Sequence, residues 1–174
     1  MIKQDISENL VKTVYLAVGS NLGNKILNII IAKYKLQNLG IKILKSSSYY
    51  ETLSWPDKTK PKFINIVLKI ETYFSAKKLL EICNKIEYEM GRKRIKKNDP
   101  RTCDIDIIDY DQKIIKYDYG LNLILPHTEI SKRNFVLLPL FEISKSWKHP
   151  ISKIGIAKLI DLLSIKDLTA IKQI

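Results

Sequence analysis

The order in which two apolar periodicities alternate constrains this chain more than any other feature. TVYLAVG (13–19) is a run of β-branched and aromatic residues ending at Gly19, which predicts a buried strand. GSNLG follows and opens a helix to about Leu39, with Ser20 or Asn21 as the expected cap and Gly40 as the stop. Residues 41–52 and 63–72 (IKILKSSSYYET and FINIVLKIET) alternate as strands. Between them LSWPDKTKPK, with two prolines and several charges, predicts a long exposed loop. Ser75 caps a second predicted helix, in which Leu79, Leu80, Cys83, Ile86 and Met90 recur at helical spacing before Gly91 ends it. CDIDIIDY (103–110) predicts a strand, Asp111-Gln112 a turn into KIIK, and LNLILPH (121–127) another short strand. The apolar segments 135–143 and 154–164 are expected to be helical. Strand–helix–strand–strand–helix–strand followed by a tail is an α+β order of the ferredoxin-like kind.

A chain of 174 residues holds one core rather than two, and 45% apolar residues are enough to fill it. No apolar stretch approaches the ~20 residues that span a bilayer. The first twelve residues mix charges of both signs and have no apolar h-region, so they are not a signal peptide. The chain is therefore expected to be soluble, cytoplasmic and free of membrane partners. Cys83 and Cys103 are too few for a disulfide framework and lack metal-ligand spacing, which leaves them as small buried hydrophobes. Lys and Arg number 30 against 18 Asp and Glu, a net charge of +12. Such a surface suits nucleotides, nucleic acid or acidic lipid without choosing among them.

The division of the cations says more than their sum. Only four are arginine, and three of these, Arg92, Arg94 and Arg101, fall within ten residues. Lysine is a point charge, whereas arginine is a planar fork that grips phosphate oxygens in pairs. Just beyond lies Asp104-Ile105-Asp106 on a predicted strand, where alternation puts both carboxylates on one side. D-x-D alone also fits an edge strand with two solvated acids. Preceded by Pro100-Arg101-Thr102 and the arginine-rich loop, the pair suits divalent metal beside phosphate, the two halves of a nucleoside triphosphate site.

A second constellation joins Pro126-His127 to Arg133-Asn134-Phe135 in a polar loop. His127 could donate a hydrogen bond to phosphate or help a proton move, whereas His149, before Pro150, is expected to be structural or at the surface. No G-x-x-x-x-G-K-[ST], no G-x-G-x-x-G after a strand and no nucleophile elbow occur, so any phosphate chemistry rests on side chains and metal.

Five ordered blocks, YLAVGSNLG, Y-E-T followed by F-I-N-I-V, I-E-x-x-x-G-R-x-R, D-P-R-T-x-D-I-D and L-P-H-x-x-x-x-x-R-x-F-V-L-L-P-L-F-E-I, resemble the 6-hydroxymethyl-7,8-dihydropterin pyrophosphokinase family. The resemblance runs from about residue 13 to 150, leaving residues 1–12 as an N-terminal extension before a single domain at 13–174. It implies a three-layer α/β/α domain with a mostly antiparallel central sheet. It also implies a cytoplasmic transferase of folate biosynthesis, expected as a monomer. Such an enzyme moves pyrophosphate from ATP to the pterin's hydroxymethyl group and releases AMP. Asp104 and Asp106 match the pair holding two Mg²⁺ ions, and Arg92 and Arg101 match arginines that stabilise the transferring group. Arg94, Lys96, His127 and Arg133 match ATP-binding positions, and Thr52, Asn65 and Phe135 match pterin-binding ones. Glu87 matches a helix acid at the active site.

The chain departs from the family pattern in four places. The loop between Gly91 and Pro100 is one residue short, and Asn98-Asp99 stands where Trp-Gly is common, which bears on lid closure. Leu53-Ser54-Trp55-Pro56 replaces the usual Pro and Gly pattern, with Trp55 as a candidate aromatic from the other side. Asn84 stands where a longer amide is frequent. The competing readings are a basic nucleic-acid-binding ferredoxin-like module and a metal-dependent nuclease. The first wants exposed aromatics on central strands, and FINIVLKIE offers only Phe63. The second does not share the ordered blocks.

Overall fold

A computed structural model describes residues 10–54, 57–92, 99–117 and 123–174. Most of the expected N-terminal extension, Trp55, Arg94, Lys96 and Asn98 lie outside the described residues. The central strand is β1 (Lys12–Ser20), which pairs antiparallel with β4 (Phe63–Thr72) on one edge and β5 (Asp104–Tyr110) on the other. Along the far edge of β4 lie β2 (Lys42–Ser46) and then β3 (Tyr50–Thr52), both antiparallel to it. Because β1 and β2 each oppose β4, they run in the same direction, and α1 (Lys25–Asn38) makes the crossover between them. By the same logic α2 (Ala76–Glu89) carries the chain from β4 past β1 to β5. Two interleaved crossovers on an antiparallel sheet are the ferredoxin-like arrangement expected from the order of elements.

Alternation along the strands sorts the side chains into two layers. Val14, Leu16 and Val18 of β1 and Ile64, Ile66, Leu68 and Ile70 of β4 face α1 and α2, where Ile29, Leu36, Leu79, Cys83 and Ile86 complete a cluster almost without solvent. The opposite face gives Tyr15, Ala17, Val67 and Ile108 to a second cluster under α3 (Asn134–Ile143) and α4 (Ile156–Asp161). Helices thus cover both faces, and the three layers are as expected. The next row of the second face runs Asp104–Gly19–Asn65–Tyr50 in register across four strands. That row marks the site.

Four local features differ from the sequence expectation, each for a reason visible in hydrogen bonds. Helix α1 is capped by Asn24, whose side chain accepts the Leu27 N–H at 3.1 Å, and not by Ser20 or Asn21. The strand expected over 41–52 is two strands, because residues 47–49 face only two residues of β4. At that break the Ser47 N–H donates to the Val67 carbonyl, while the Ser47 hydroxyl accepts the Val67 N–H at 3.0 Å in place of a backbone carbonyl. The helix expected over 154–164 stops at Asp161, and Ser164 starts α5 (Ile165–Thr169) by accepting the Asp167 N–H. The tail ends in an unexpected strand, β8 (Ile171–Gln173), which pairs antiparallel with β3. A small second sheet joins β6 (Ile115–Tyr117) to β7 (Leu123–Leu125). No helix among the described residues is long and apolar enough to cross a membrane.

Candidate active site

Ile105 and Ile107 anchor β5 in the α1/α2 cluster, so Asp104 and Asp106 emerge together on the opposite face. Each carboxylate meets cations delivered by a different element. Arg92, one residue beyond the Gly91 that ends α2, places a guanidinium nitrogen 2.5 Å from Asp104 Oδ1. Arg101, in the turn before β5, donates from Nε to Asp104 Oδ2 at 2.8 Å and from a terminal nitrogen to the same oxygen. Asp104 is thus held on both oxygens. Asp106 Oδ2 accepts from Arg133 at 3.0 Å, with His127 Nε2 3.8 Å away.

Glu87 explains how helix and strand are locked together here. Its buried carboxylate accepts the Ile105 N–H at 2.7 Å and pairs with Arg92, so the last turn of α2 fixes the start of β5. Burial works against the charge on Arg92, but Asp104 and Glu87 beside it hold its pKa above the ordinary value. For His127 burial dominates and lowers the pKa, with Asp106 pulling it up and Arg133 pushing it further down. Its Nδ1 accepts the Glu129 N–H at 3.2 Å, which assigns the proton to Nε2, the nitrogen toward Asp106.

Across the same face lies an uncharged half. Asn65 Nδ2 donates to Thr52 Oγ1 at 3.0 Å, and both residues are buried. Gly19 separates this pair from Asp104; a Cβ there would sit 2.8 Å from Asn65 Oδ1. Two aromatic rings complete the surface. Phe63 lies 5.0 Å beneath the Arg101 guanidinium and Phe135 lies 5.6 Å from that of Arg133. The structure therefore gathers Glu87, Arg92, Arg101 and Asp104 into one group and His127, Arg133, Phe135 and Asp106 into a second. Asn65 and Thr52 form a third group beside them. Arg94 and Lys96 lie outside the described residues.

Sequence reasoning missed Phe63, Gly19 and Asn21. The first was within reach, since alternation puts residue 63 on the same face as Asn65. Asp99 pairs with Lys60 of the β3–β4 loop at 3.8 Å. Cys83 and Cys103 are buried free thiols, and burial, with Glu87 adding to it, pushes Cys103 up to about 12, so neither is a nucleophile.

Among the described residues no three His, Cys, Asp or Glu side chains gather as a metal cage. Two carboxylates on one face nevertheless fit Mg²⁺, which takes one or two protein oxygens and fills its shell with water and substrate phosphates. Oxygen donors only, ringed by guanidinium groups suited to phosphate, are the chemistry such an ion needs.

A sequence model described as 7,8-dihydro-6-hydroxymethylpterin-pyrophosphokinase (HPPK) matches residues 15–145. The chain belongs to the HPPK family. It is 40% identical over 139 residues to the 2-amino-4-hydroxy-6-hydroxymethyldihydropteridine pyrophosphokinase of Aquifex aeolicus, covering 80% of this chain and 84% of that one. It is 38% identical to the folic acid synthesis protein fol1 of Pneumocystis carinii over 93% of its own length. It spans only 22% of that fungal relative, and 20% of the one from Schizosaccharomyces pombe. A crystal structure of a Plasmodium falciparum HPPK-DHPS variant with pterin and p-hydroxybenzoate shares the fold at a TM-score of 0.70 and 15% identity, covering 99% of this chain and 48% of that one. The matched residues 15–145 contain all the HPPK-type candidate positions described above.

Proposed function

We propose that the chain transfers pyrophosphate from MgATP to the hydroxymethyl group of 6-hydroxymethyl-7,8-dihydropterin, releasing AMP, as a step of folate biosynthesis. One observation carries this reading: within the stretch matched by the family, two carboxylates clamped by arginines share a sheet face with a buried, uncharged Asn–Thr pair. The charged half suits a triphosphate and the uncharged half a flat heterocycle with hydrogen-bonding edges.

In the proposed reaction the pterin hydroxymethyl group gives up its proton to solvent as its oxygen forms a bond to the β-phosphorus of ATP. The bond from that phosphorus to the oxygen bridging it to the α-phosphorus breaks, and AMP leaves with the electron pair. In-line placement and neutralised phosphate charge matter more here than a strong base. When bound, Mg²⁺ neutralises the phosphate oxygens and holds them in line, and Asp104 and Asp106 are the residues that would hold two such ions.

The remaining roles fall to the chain's own groups. With the triphosphate in place, Arg92 and Arg101 exchange their carboxylate partner for phosphate oxygens and stabilise charge on the transferring group. Glu87 keeps Arg92 and the start of β5 in position. Arg133 and the neutral His127, through its Nε2–H, contact other phosphate oxygens, with Arg94 and Lys96 completing the ATP contacts. Asn65 hydrogen-bonds the pterin, Thr52 orients that amide, and Phe135 stacks on the ring. Phe63, in register with Thr52, adds a second aromatic wall.

The test is direct. Purified protein with MgATP and 6-hydroxymethyl-7,8-dihydropterin should form AMP and the pterin diphosphate, and neither product without metal. ADP in place of AMP would show a single phosphoryl transfer and overturn the proposed mechanism.

A further inference from the structure

Asn21 sits in the turn between β1 and α1, is almost fully buried, and does not serve as the helix cap. Its carboxamide oxygen serves one loop and both of its N–H donors serve another. Its Oδ1 accepts the Arg101 N–H at 2.7 Å, while its own backbone N–H donates to the Arg101 carbonyl at 3.0 Å, so the two residues clasp one another reciprocally. Its Nδ2 donates to Ser54 Oγ at 3.3 Å and to the Pro61 carbonyl at 3.2 Å. Ser54 Oγ also donates to that carbonyl, at 2.6 Å, which closes the β3–β4 loop on the same point. The turn itself is held from the other side, where Asn28 Nδ2 donates to Ser20 Oγ and the Leu22 carbonyl.

This amide therefore joins the segment that carries Arg101 to the loop that follows Thr52. A carboxamide is the only side-chain group of this size that offers an acceptor to one loop and two donors to another. A misplaced hydrogen bond at so buried a position leaves polar groups of both loops unpaired.

We propose that Asn21 is a positioning residue that couples the two halves of the site, setting the phosphate-gripping Arg101 and the pterin-side loop in fixed relation. The inference rests on the reaction proposed above. It predicts that occupancy of one half is felt in the other, and that loosening the tie harms turnover more than it harms either ligand's separate binding.

The decisive variant lies away from Arg101. In Ser54→Ala the β3–β4 loop loses one partner of the tie, and amide hydrogen exchange at Arg101 should quicken along with that loop while β1 and β4 exchange as in the parent. Unchanged exchange at Arg101 would overturn the coupling, and this readout needs no turnover. Asn21→Asp keeps the acceptor for the Arg101 N–H but removes both donors. It should bind an ATP analogue with Mg²⁺ as the parent does, yet lose any strengthening of pterin binding by that nucleotide. In Asn21→Ala, kcat should fall about 100-fold, the cost of a small misplacement of reacting groups, with the separate binding of pterin and nucleotide analogue little changed. Parental kcat in Asn21→Ala, or a loss matched by the unfolded fraction, would overturn the proposal. If the parent itself forms no AMP, the reaction reading fails, and the exchange experiment still decides whether Asn21 couples the loops.

Discussion

Arg101 illustrates how much one residue is asked to do. Its backbone clasps Asn21, its guanidinium covers Phe63, and two of its nitrogens meet one oxygen of Asp104. A lysine cannot present two donors in a plane, so Arg101→Lys should lower kcat by about 100-fold with the fold intact. A variant as fast as the parent at saturating MgATP would show that only charge is needed. Gly19 makes the opposite contribution, by leaving room. In Gly19→Ala the new Cβ would press on Asn65 Oδ1, so the amide must turn away from its partner. The KM for the pterin should rise about tenfold, the worth of roughly one hydrogen bond, with the KM for ATP unchanged. Alternation along a strand foretells the facing of Asp104 and Asp106, and arginine scarcity foretells the interest of Arg92 and Arg101. Nothing local foretells Gly19, whose importance is a void next to a residue 46 positions away in the chain. Asn21 was hidden for another reason: an asparagine after a strand is an ordinary helix cap, and the true cap stands three residues later.

At the scale of elements, the site depends on where helices stop. α2 begins at Ser75, whose side chain accepts the Lys78 N–H at 3.2 Å, and ends in a turn that presents Glu87 and then Arg92. Ser75→Ala should cost about 1 kcal/mol, seen as a melting temperature lower by about 2–4 °C; no shift would mean that packing of the apolar stripe alone holds the first turn. Both Ser75 and Gly91 stand out in sequence, because capping and a left-handed stop leave residue-level marks. The split of β2 from β3 does not. It follows from one extra residue facing β4 and from a serine hydroxyl standing in for a carbonyl. β8 is equally silent, since a three-residue strand has too few positions to show a period.

At the scale of the molecule, charge and protonation are set by what the core buries. His149 Nδ1 accepts the N–H groups of Ile151 and Ser152 at 3.2 Å, and its ring meets Trp147 edge-on. Burial lowers its pKa, partly offset by Asp109, so the unfolded chain takes up a proton first as the solution is acidified. The associated stability is present above the ordinary histidine value of about 6.5 and is lost as pH falls through the lower folded value. His149→Asn, which keeps an acceptor for those two N–H groups, should show a shallower fall of melting temperature between neutral and mildly acidic pH; an unchanged slope would assign the effect to other groups. Some slope should persist, since His127 is lowered as well.

The sheet's outermost strand lies some 120 positions after its neighbour: Tyr50, Glu51 and Thr52 pair with Gln173, Lys172 and Ile171. During synthesis the other strands can therefore find their partners while the edge of β3 still waits. A bare edge can recruit strands of other chains. For as long as the ribosome has not released residues 171–173, the nascent protein carries an open flank directly beside Thr52. Until that segment has emerged and paired, the flank of β3 is the edge at which this molecule is open to a neighbour's strand.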